Sequence, residues 1–172
     1  MMTIEQLRTC IEKVRFGDKK AFEEIYDDMK IPLYTIIYRI VQNKELSEDI
    51  MHNLFVKLYQ SPPDSSVLNP RAWIFQMAHN LSLNSTRSPQ TIPLSEEEID
   101  SVTLSNTVDL QIDISEAIKK LPRDQIEIIS FHIYGEMKFR EISEMIKVPL
   151  GTVLWKYQKA IRKLRIYFNG GK

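Results

Sequence analysis

Five basic side chains recur at helical spacing near the end of the chain: Lys156, Lys159, Arg162, Lys163 and Arg165. No acidic residue lies between Thr152 and Lys172. In an α-helix this spacing places the charges on one side, and each phosphate that such a side neutralises releases bound counterions. Two interpretations follow, a phosphate-binding surface or a solvated basic helix favoured by its own dipole.

An apolar row on the other side of the same segment indicates a packed helix. Pro149 suits the first helical turn because its missing N–H has no partner there, and Thr152 can cap or bond back in that turn. Offsets of three and four residues then predict one buried side. The apolar row consists of Val153, Tyr157, Ala160, Ile161, Leu164 and Phe168.

A shorter amphipathic segment precedes this helix. Its apolar residues are Phe139, Ile142, Met145 and Ile146, and a break follows over residues 147–151. Two helices around a tight turn, the second one basic, outline a helix-turn-helix, whose second helix enters the major groove. This favours the phosphate-binding interpretation, and DNA is the partner we expect first.

The formal net charge of zero hides an uneven distribution. Residues 61–114 carry 2 basic and 7 acidic side chains, whereas residues 115–172 carry 12 basic and 6 acidic ones. A basic C-terminal part therefore follows an acidic middle, and the overall charge is a poor guide to partners.

Residue types exclude several classes of function. Cys10 is the single cysteine, so an internal disulfide and a cysteine-rich zinc site are excluded, and we expect Cys10 to be buried. His52, His79 and His132 are scattered without metal spacing or a catalytic partner, which favours structural roles. We expect no enzyme, no metal, no cofactor and no small-molecule substrate.

Hydropathy predicts a cytoplasmic protein. No segment approaches the roughly 20 apolar residues of a membrane span, so we expect no membrane insertion. The N-terminus lacks the apolar core of a signal peptide.

The first 60 residues predict four helices in a compact bundle. Thr3 is expected to cap the first helix and Asp18 the second, which ends near Met29. Pro32 is expected to open a third helix and Ser47 to cap a fourth, which runs to residue 60.

Beyond the bundle, residues 61–69 predict a loop, and helix resumes at Asn69-Pro70. Residues 88–112 are polar and acidic without sustained periodicity, which indicates a flexible linker. Helical patterning returns at Ser115, and Pro122 is expected to open a helix that closes at Gly135. The predicted fold class is all-α, with two small helical domains joined by the acidic linker.

Several of these segments together resemble one family, the bacterial extracytoplasmic-function sigma factors of the sigma-70 family, which are subunits of RNA polymerase. The resemblance covers nearly the whole chain. It rests on GDKKAFEEIYDD at 17–28, SEDIMHNLFVKLY at 47–59, NPRAWIFQMAHNLSLNSTR at 69–87, the Leu121-Pro122 pair, and EISEMI and VPLGTV in the helix-turn-helix.

The resemblance implies a division of labour. Residues 1–87 would form a region 2 like domain that binds core polymerase and recognises and melts the minus-ten element. Residues 88–112 would be the linker, and residues 113–172 a region 4 like domain that recognises the minus-thirty-five element. The implied partners are the clamp helices and flap of core RNA polymerase, promoter DNA and an anti-sigma factor.

Matching positions imply individual roles. Polymerase binding would fall to Asp49, His52, Asn53 and Phe55. Minus-ten DNA would be contacted by Arg71, Trp73 and Asn80, and the loop 61–69 would accept an extruded base. Minus-thirty-five DNA would be contacted by Thr152, Leu154, Lys156, Lys159, Arg162 and Lys163.

Some of these roles have a structural alternative. Trp73 and Phe55 can be core aromatics, which we favour for Phe55, and Asp49 and Asn53 can be ordinary exposed residues.

The chain also departs from the family pattern. His52, Asn53 and Asn84 replace the usual glutamine, acid and aspartate, and Lys147 replaces the usual turn glycine. Leu154 and Trp155 stand where a basic residue and serine are common. Leu154 could contact thymine methyl groups or dock on a partner, and Trp155 could fold back on the domain; we favour partner or domain packing over base contact.

The functional hypothesis is a sigma factor under anti-sigma control. Two alternatives remain: a polymerase-independent helix-turn-helix regulator, and a degenerate sigma-like subunit that binds polymerase without recognising promoters.

Overall fold

The computed structural model describes residues 1–86 and 120–168. Within these ranges the secondary structure is helical and includes no strand, which confirms the all-α prediction. The helices are α1 (Ile4–Arg15), α2 (Lys19–Val41), α3 (Lys44–Gln60), α4 (Pro70–Thr86), α5 (Arg123–Ile133), α6 (Phe139–Ile146) and α7 (Leu150–Phe168). They group into two compact units, α1 to α4 and α5 to α7. The predicted linker, its boundaries and the helical pattern at Ser115 lie outside the described residues.

Local capping sets the start of α1 and α2 as predicted. The Thr3 hydroxyl accepts a hydrogen bond from the Gln6 N–H, and the Gln6 side chain accepts one from the Thr3 N–H. Asp18 accepts from the N–H groups of Lys20 and Ala21. Gly17, between the two helices, has φ of 84°, a conformation that only glycine adopts without strain.

The predicted break before Pro32 is wrong, because α2 continues through that proline. Pro32 has no N–H to donate, and a proline inside a helix costs about 3 kcal/mol. Burial of apolar side chains contributes about 1.5 to 3 kcal/mol each, which exceeds that cost over a helix of this length. The buried apolar side chains of α2 include Ile25, Met29, Leu33, Ile36, Ile37 and Ile40.

The predicted start of α3 at Ser47 is also wrong. Gln42 ends α2 in the left-handed conformation, and Asn43 directly caps α3 by accepting a hydrogen bond from the Leu46 N–H at 2.8 Å. Ser47 is buried, and its hydroxyl donates to the Asn43 carbonyl at 2.6 Å. A serine inside a helix commonly makes such a back-bond, so the capping pattern at Ser47 was misleading.

Within the first unit, α2 is the central helix, since it packs against α1, α3 and α4. α4 begins where it was predicted, at Pro70, and the Asn69 side chain accepts a hydrogen bond from the Ala72 N–H at 3.0 Å. Cys10 is buried, as expected, and burial together with the adjacent Glu24 raises the pKa of its thiol.

The second unit has its own core. Leu121, Ile126 and Ile129 pack with Ala160 of α7, and Tyr157 and Leu164 lie against them. His132 stacks on the Phe139 ring with centroids 4.2 Å apart, and its Nδ1–H donates to the Met137 carbonyl at 2.9 Å. His132 therefore has the structural role that the sequence favoured.

The turn between α6 and α7 is closed by backbone contacts. Lys147 has φ of 56°, and its N–H donates to the Ser143 carbonyl. The Val148 N–H donates to the same carbonyl, while the Ser143 hydroxyl donates to the Val148 carbonyl at 2.7 Å. Pro149 then accepts from the N–H groups of Thr152 and Val153. This arrangement requires positive φ at Lys147, which residues other than glycine adopt only at a cost in free energy.

We expect Lys147→Gly to stabilise the second unit by about 0.5 to 1 kcal/mol. Removing the left-handed strain is worth about 1 to 2 kcal/mol, and the greater freedom of glycine in the unfolded chain offsets part of the gain. Urea unfolding followed by circular dichroism measures the difference. Lys138→Gly is the matched control, because Lys138 precedes the same helix with φ of −71°. An equal or larger gain in that control would contradict the explanation.

Candidate functional site

The second helix of the helix-turn-helix exposes a cationic side. Val153 and Ala160 of α7 are fully buried, and Tyr157, Ile161 and Leu164 are half-buried. Phe168, predicted to face inward, is exposed instead, because it is the last residue of the helix. Lys159, Arg162, Lys163 and Arg165 are exposed on the remaining surface. The acid-free helix thus packs by one side and presents positive charge on the other.

Lys156 differs from the other cations of α7. Its ammonium lies 2.7 Å from a carboxylate oxygen of Asp124 on α5, and this contact lowers the pKa of Asp124. The charge of Lys156 is therefore offset within the unit. Sequence patterning did not identify Asp124 as a partner, because the two residues lie on different helices.

Trp155 does not fold back on the unit, so that part of the packing hypothesis is wrong. Its side chain is 56% exposed, and the Lys159 ammonium lies 4.6 Å from its ring centroid. Leu154 is half-buried, and Thr152 is exposed in the first turn of α7. The early part of the exposed side of α7 thus carries one exposed indole among polar groups, and its later part is cationic.

In the first unit, α3 exposes the predicted polar residues. Asp49, His52 and Asn53 are all exposed at offsets of three and four, so they share one side of the helix. Phe55 is only 5% exposed and packs edge-on against Phe22, as the core interpretation predicted. Its predicted contact with a partner is therefore indirect at most.

Three exposed apolar residues beside this polar side were missed by sequence reasoning. Val56 and Tyr59 lie on α3, and Tyr26 lies on α2 against Phe55 with ring centroids 4.7 Å apart. The spacing of four residues from Phe22 to Tyr26 and from Phe55 to Tyr59 was a signal for this aromatic cluster. Its two tyrosines, Tyr26 and Tyr59, each have an apolar ring and a polar hydroxyl group, a combination that is common at interfaces.

α4 separates its three predicted DNA-contacting residues. Arg71 is buried, and its guanidinium donates to the Met2 carbonyl and lies 4.0 Å from Asp28. Because this group holds the chain ahead of α1 against α2 and α4, it is not available to a DNA strand in this structure. Trp73 is half-buried and Asn80 is exposed, and their spacing of seven residues places them on one side of α4.

The loop 61–69 is held by two arginines of α1. Arg8 donates to the Leu68 carbonyl at 2.9 Å, and Arg15 lies 3.3 Å from the Asp64 carboxylate. Asp64 also accepts a hydrogen bond from the Ser66 N–H, which is the main cause that lowers its pKa. No local pattern predicts these contacts, because the arginines lie 49 and 60 residues away along the chain.

Within residues 1–86 and 120–168, no group of three or more His, Cys, Asp or Glu side chains is arranged to hold a metal ion. Among the helices of these two ranges, none is long and apolar enough to span a membrane.

The amino-acid sequence of this chain is similar to those of known proteins. The Sigma-70 region 2 family matches residues 25–91, which include α3 and α4. The chain is 28% identical to the ECF RNA polymerase sigma factor SigW of Bacillus subtilis, over 92% of this chain and 95% of SigW. It is 23% identical to the ECF RNA polymerase sigma factor SigK of Mycobacterium tuberculosis, over 92% of this chain and 91% of SigK.

Two solved structures share the fold. CnrH, determined in complex with the cytosolic domain of CnrY, superposes with a TM-score of 0.55 at 15% identity, over 97% of this chain and 99% of CnrH. The sigma factor RpoE of Bartonella quintana, determined with the anti-sigma factor NepR, gives 0.56 at 14% identity, over 87% and 99% of the two chains. The region 2 match and the similarity to SigW along nearly the whole chain thus make this protein similar to the extracytoplasmic-function sigma factors of the sigma-70 family.

Proposed function

We propose that this protein binds core RNA polymerase and directs it to specific promoters. The observation that carries the proposal is the exposed, acid-free cationic side of α7 in a chain whose α3 and α4 match sigma region 2. A regulator that acted without polymerase would have no use for the region 2 segment. As a polymerase subunit the protein would act in the cytoplasm, as a specificity factor and not as an enzyme.

Polymerase binding falls to the exposed side of α3. Asp49, His52 and Asn53 supply polar groups there, and Val56 supplies apolar area beside them. The partner is the clamp helices of core polymerase, and the flap is the expected partner of the second unit. Residues 1–87 and 113–172 act as separate domains in this proposal, with residues 88–112 as the acidic linker.

Promoter opening falls to α4 and the loop before it. Trp73 can stack on an unpaired base, which is worth roughly 1 to 3 kcal/mol, and Asn80 lies on the same side of the helix. The loop 61–69, held by Arg8 and Arg15, is the site proposed for the extruded base. Arg71 supports this region from inside.

An anti-sigma factor is the proposed regulator. CnrH and RpoE were each determined with a bound partner, and for RpoE that partner is an anti-sigma factor. A protein that covered the exposed side of α3 and the neighbouring Tyr26 and Tyr59 would exclude polymerase from the same surface.

Run-off transcription with purified core polymerase on genomic fragments tests the proposal. We expect new start sites only when this protein is present. Core binding without new start sites would indicate a degenerate sigma-like subunit instead. Specific DNA binding without core polymerase would indicate an independent regulator.

We expect Asp49→Lys to weaken core polymerase binding at least ten-fold. The substitution reverses a charge in the middle of the proposed interface, and a side chain that meets a like charge of its partner at close range costs more than about 1.4 kcal/mol of binding free energy. Fluorescence titration of labelled protein with core polymerase measures the affinity. Glu12→Lys is the matched control, since Glu12 is an exposed acid on α1. Equal affinities of the two variants would contradict the assignment of α3.

We expect the double variant Arg162→Ala, Lys163→Ala to weaken holoenzyme binding to a promoter fragment and to flatten its salt dependence. Loss of two phosphate contacts reduces the slope of log K against log salt by about 2. The fragment is one that carries a start site found by run-off transcription. Lys19→Ala with Lys20→Ala, two exposed lysines at the start of α2, is the control. An unchanged slope in the α7 variant would remove this helix from the DNA interface.

A further inference from the structure

Trp155 occupies the part of α7 that meets base edges in a helix-turn-helix complex. α7 begins at Leu150, so Trp155 lies in its second turn. The N-terminal residues of a recognition helix contact base edges, whereas later residues approach the backbone. Trp155 is 56% exposed, so most of the indole is available to a partner.

The surroundings of Trp155 suit a nucleic acid better than a protein. The exposed residues near it on α7 are Gly151, Thr152, Gln158, Lys159 and Arg162. Protein docking sites are usually continuous apolar patches, and a single indole among polar and cationic groups is not one. A major groove, by contrast, combines flanking phosphates with base edges, so it matches an apolar group between cations.

The two lysines nearest in sequence are already engaged. Lys156 is ion-paired with Asp124 at 2.7 Å, and the Lys159 ammonium lies over the Trp155 ring at 4.6 Å. A cation over one face of an indole fixes the ring and leaves its edge and its other face free. At this turn of α7, the largest group available to a base edge is therefore apolar.

We propose that Trp155 determines specificity in the upstream promoter element by contacting the C5-methyl groups of thymine in the major groove. The thymine methyl is the apolar feature that a base pair displays there, and apolar side chains recognise it by contact. Lys159 acts as a positioning residue that holds the indole. This inference rests on the proposed function, because it concerns how the same helix selects its promoter.

The test removes the methyl group alone. In a promoter fragment that supports run-off transcription, each thymine upstream of the start site is replaced singly by deoxyuridine, and holoenzyme affinity is measured. With the natural protein we expect holoenzyme affinity to fall about three- to five-fold at one or two positions, which is the contribution of one buried methyl group. With Trp155→Ala, the same replacements should cause no further loss. Trp155→Phe, which keeps an aromatic ring, should retain part of the dependence on the methyl group.

Ile166→Ala is the matched control. Ile166 is 59% exposed near the end of α7, so the variant removes a similarly exposed apolar side chain from the same helix. It should leave the dependence on each methyl group unchanged. Circular dichroism and the urea midpoint should match the natural protein for all three variants, because the substituted side chains are exposed.

The inference would be overturned if the affinity losses caused by Trp155→Ala and by deoxyuridine were additive at every position. So would a loss of core polymerase affinity in Trp155→Ala with an unchanged methyl dependence, which would indicate a protein contact. In either case the natural holoenzyme would still start transcription at the promoter. Failure of the proposed function is distinguishable, since run-off transcription would then give no new start site with the natural protein.

Discussion

Burial of one side of α7 is the constraint on which its exposed cationic surface depends. Val153 and Ala160 are fully buried, and Ala160 packs with Ile126 and Ile129 of the same unit. Because the packed residues occupy one side of the helix, this packing determines which residues of α7 lie on the opposite side and face outward. The closed turn at Lys147 sets where α7 begins, and so which residues of α7 fall in its first two turns.

The first unit follows a similar rule around α2. That helix packs against α1, α3 and α4, and its continuous apolar side keeps it helical through Pro32. With α3 and α4 packed on α2, what remains outside is the polar side of α3 and the side of α4 that carries Trp73 and Asn80. Both proposed interfaces of this unit are thus the surfaces that its core leaves exposed.

Much of the fold could be predicted because its signals are local. The capping box at Thr3, the Asp18 cap and the start of α4 at Asn69-Pro70 each depend on a few neighbouring residues. Pro32 misled for the opposite reason, because its local preference is outweighed by burial along α2. Ser47 misled because another local cap, Asn43, already starts α3 four residues earlier.

The sequence by itself determined the helical fold class, the helix-turn-helix and the sides of α3 and α7 that face outward, because periodicity of apolar residues encodes all three. Tertiary structure decided which charged and aromatic groups are available. It paired Lys156 with Asp124 and buried Arg71 against Met2. Contacts between helices carry no short-range signal in the chain, so residues with the same spacing on one helix can end in different electrostatic surroundings.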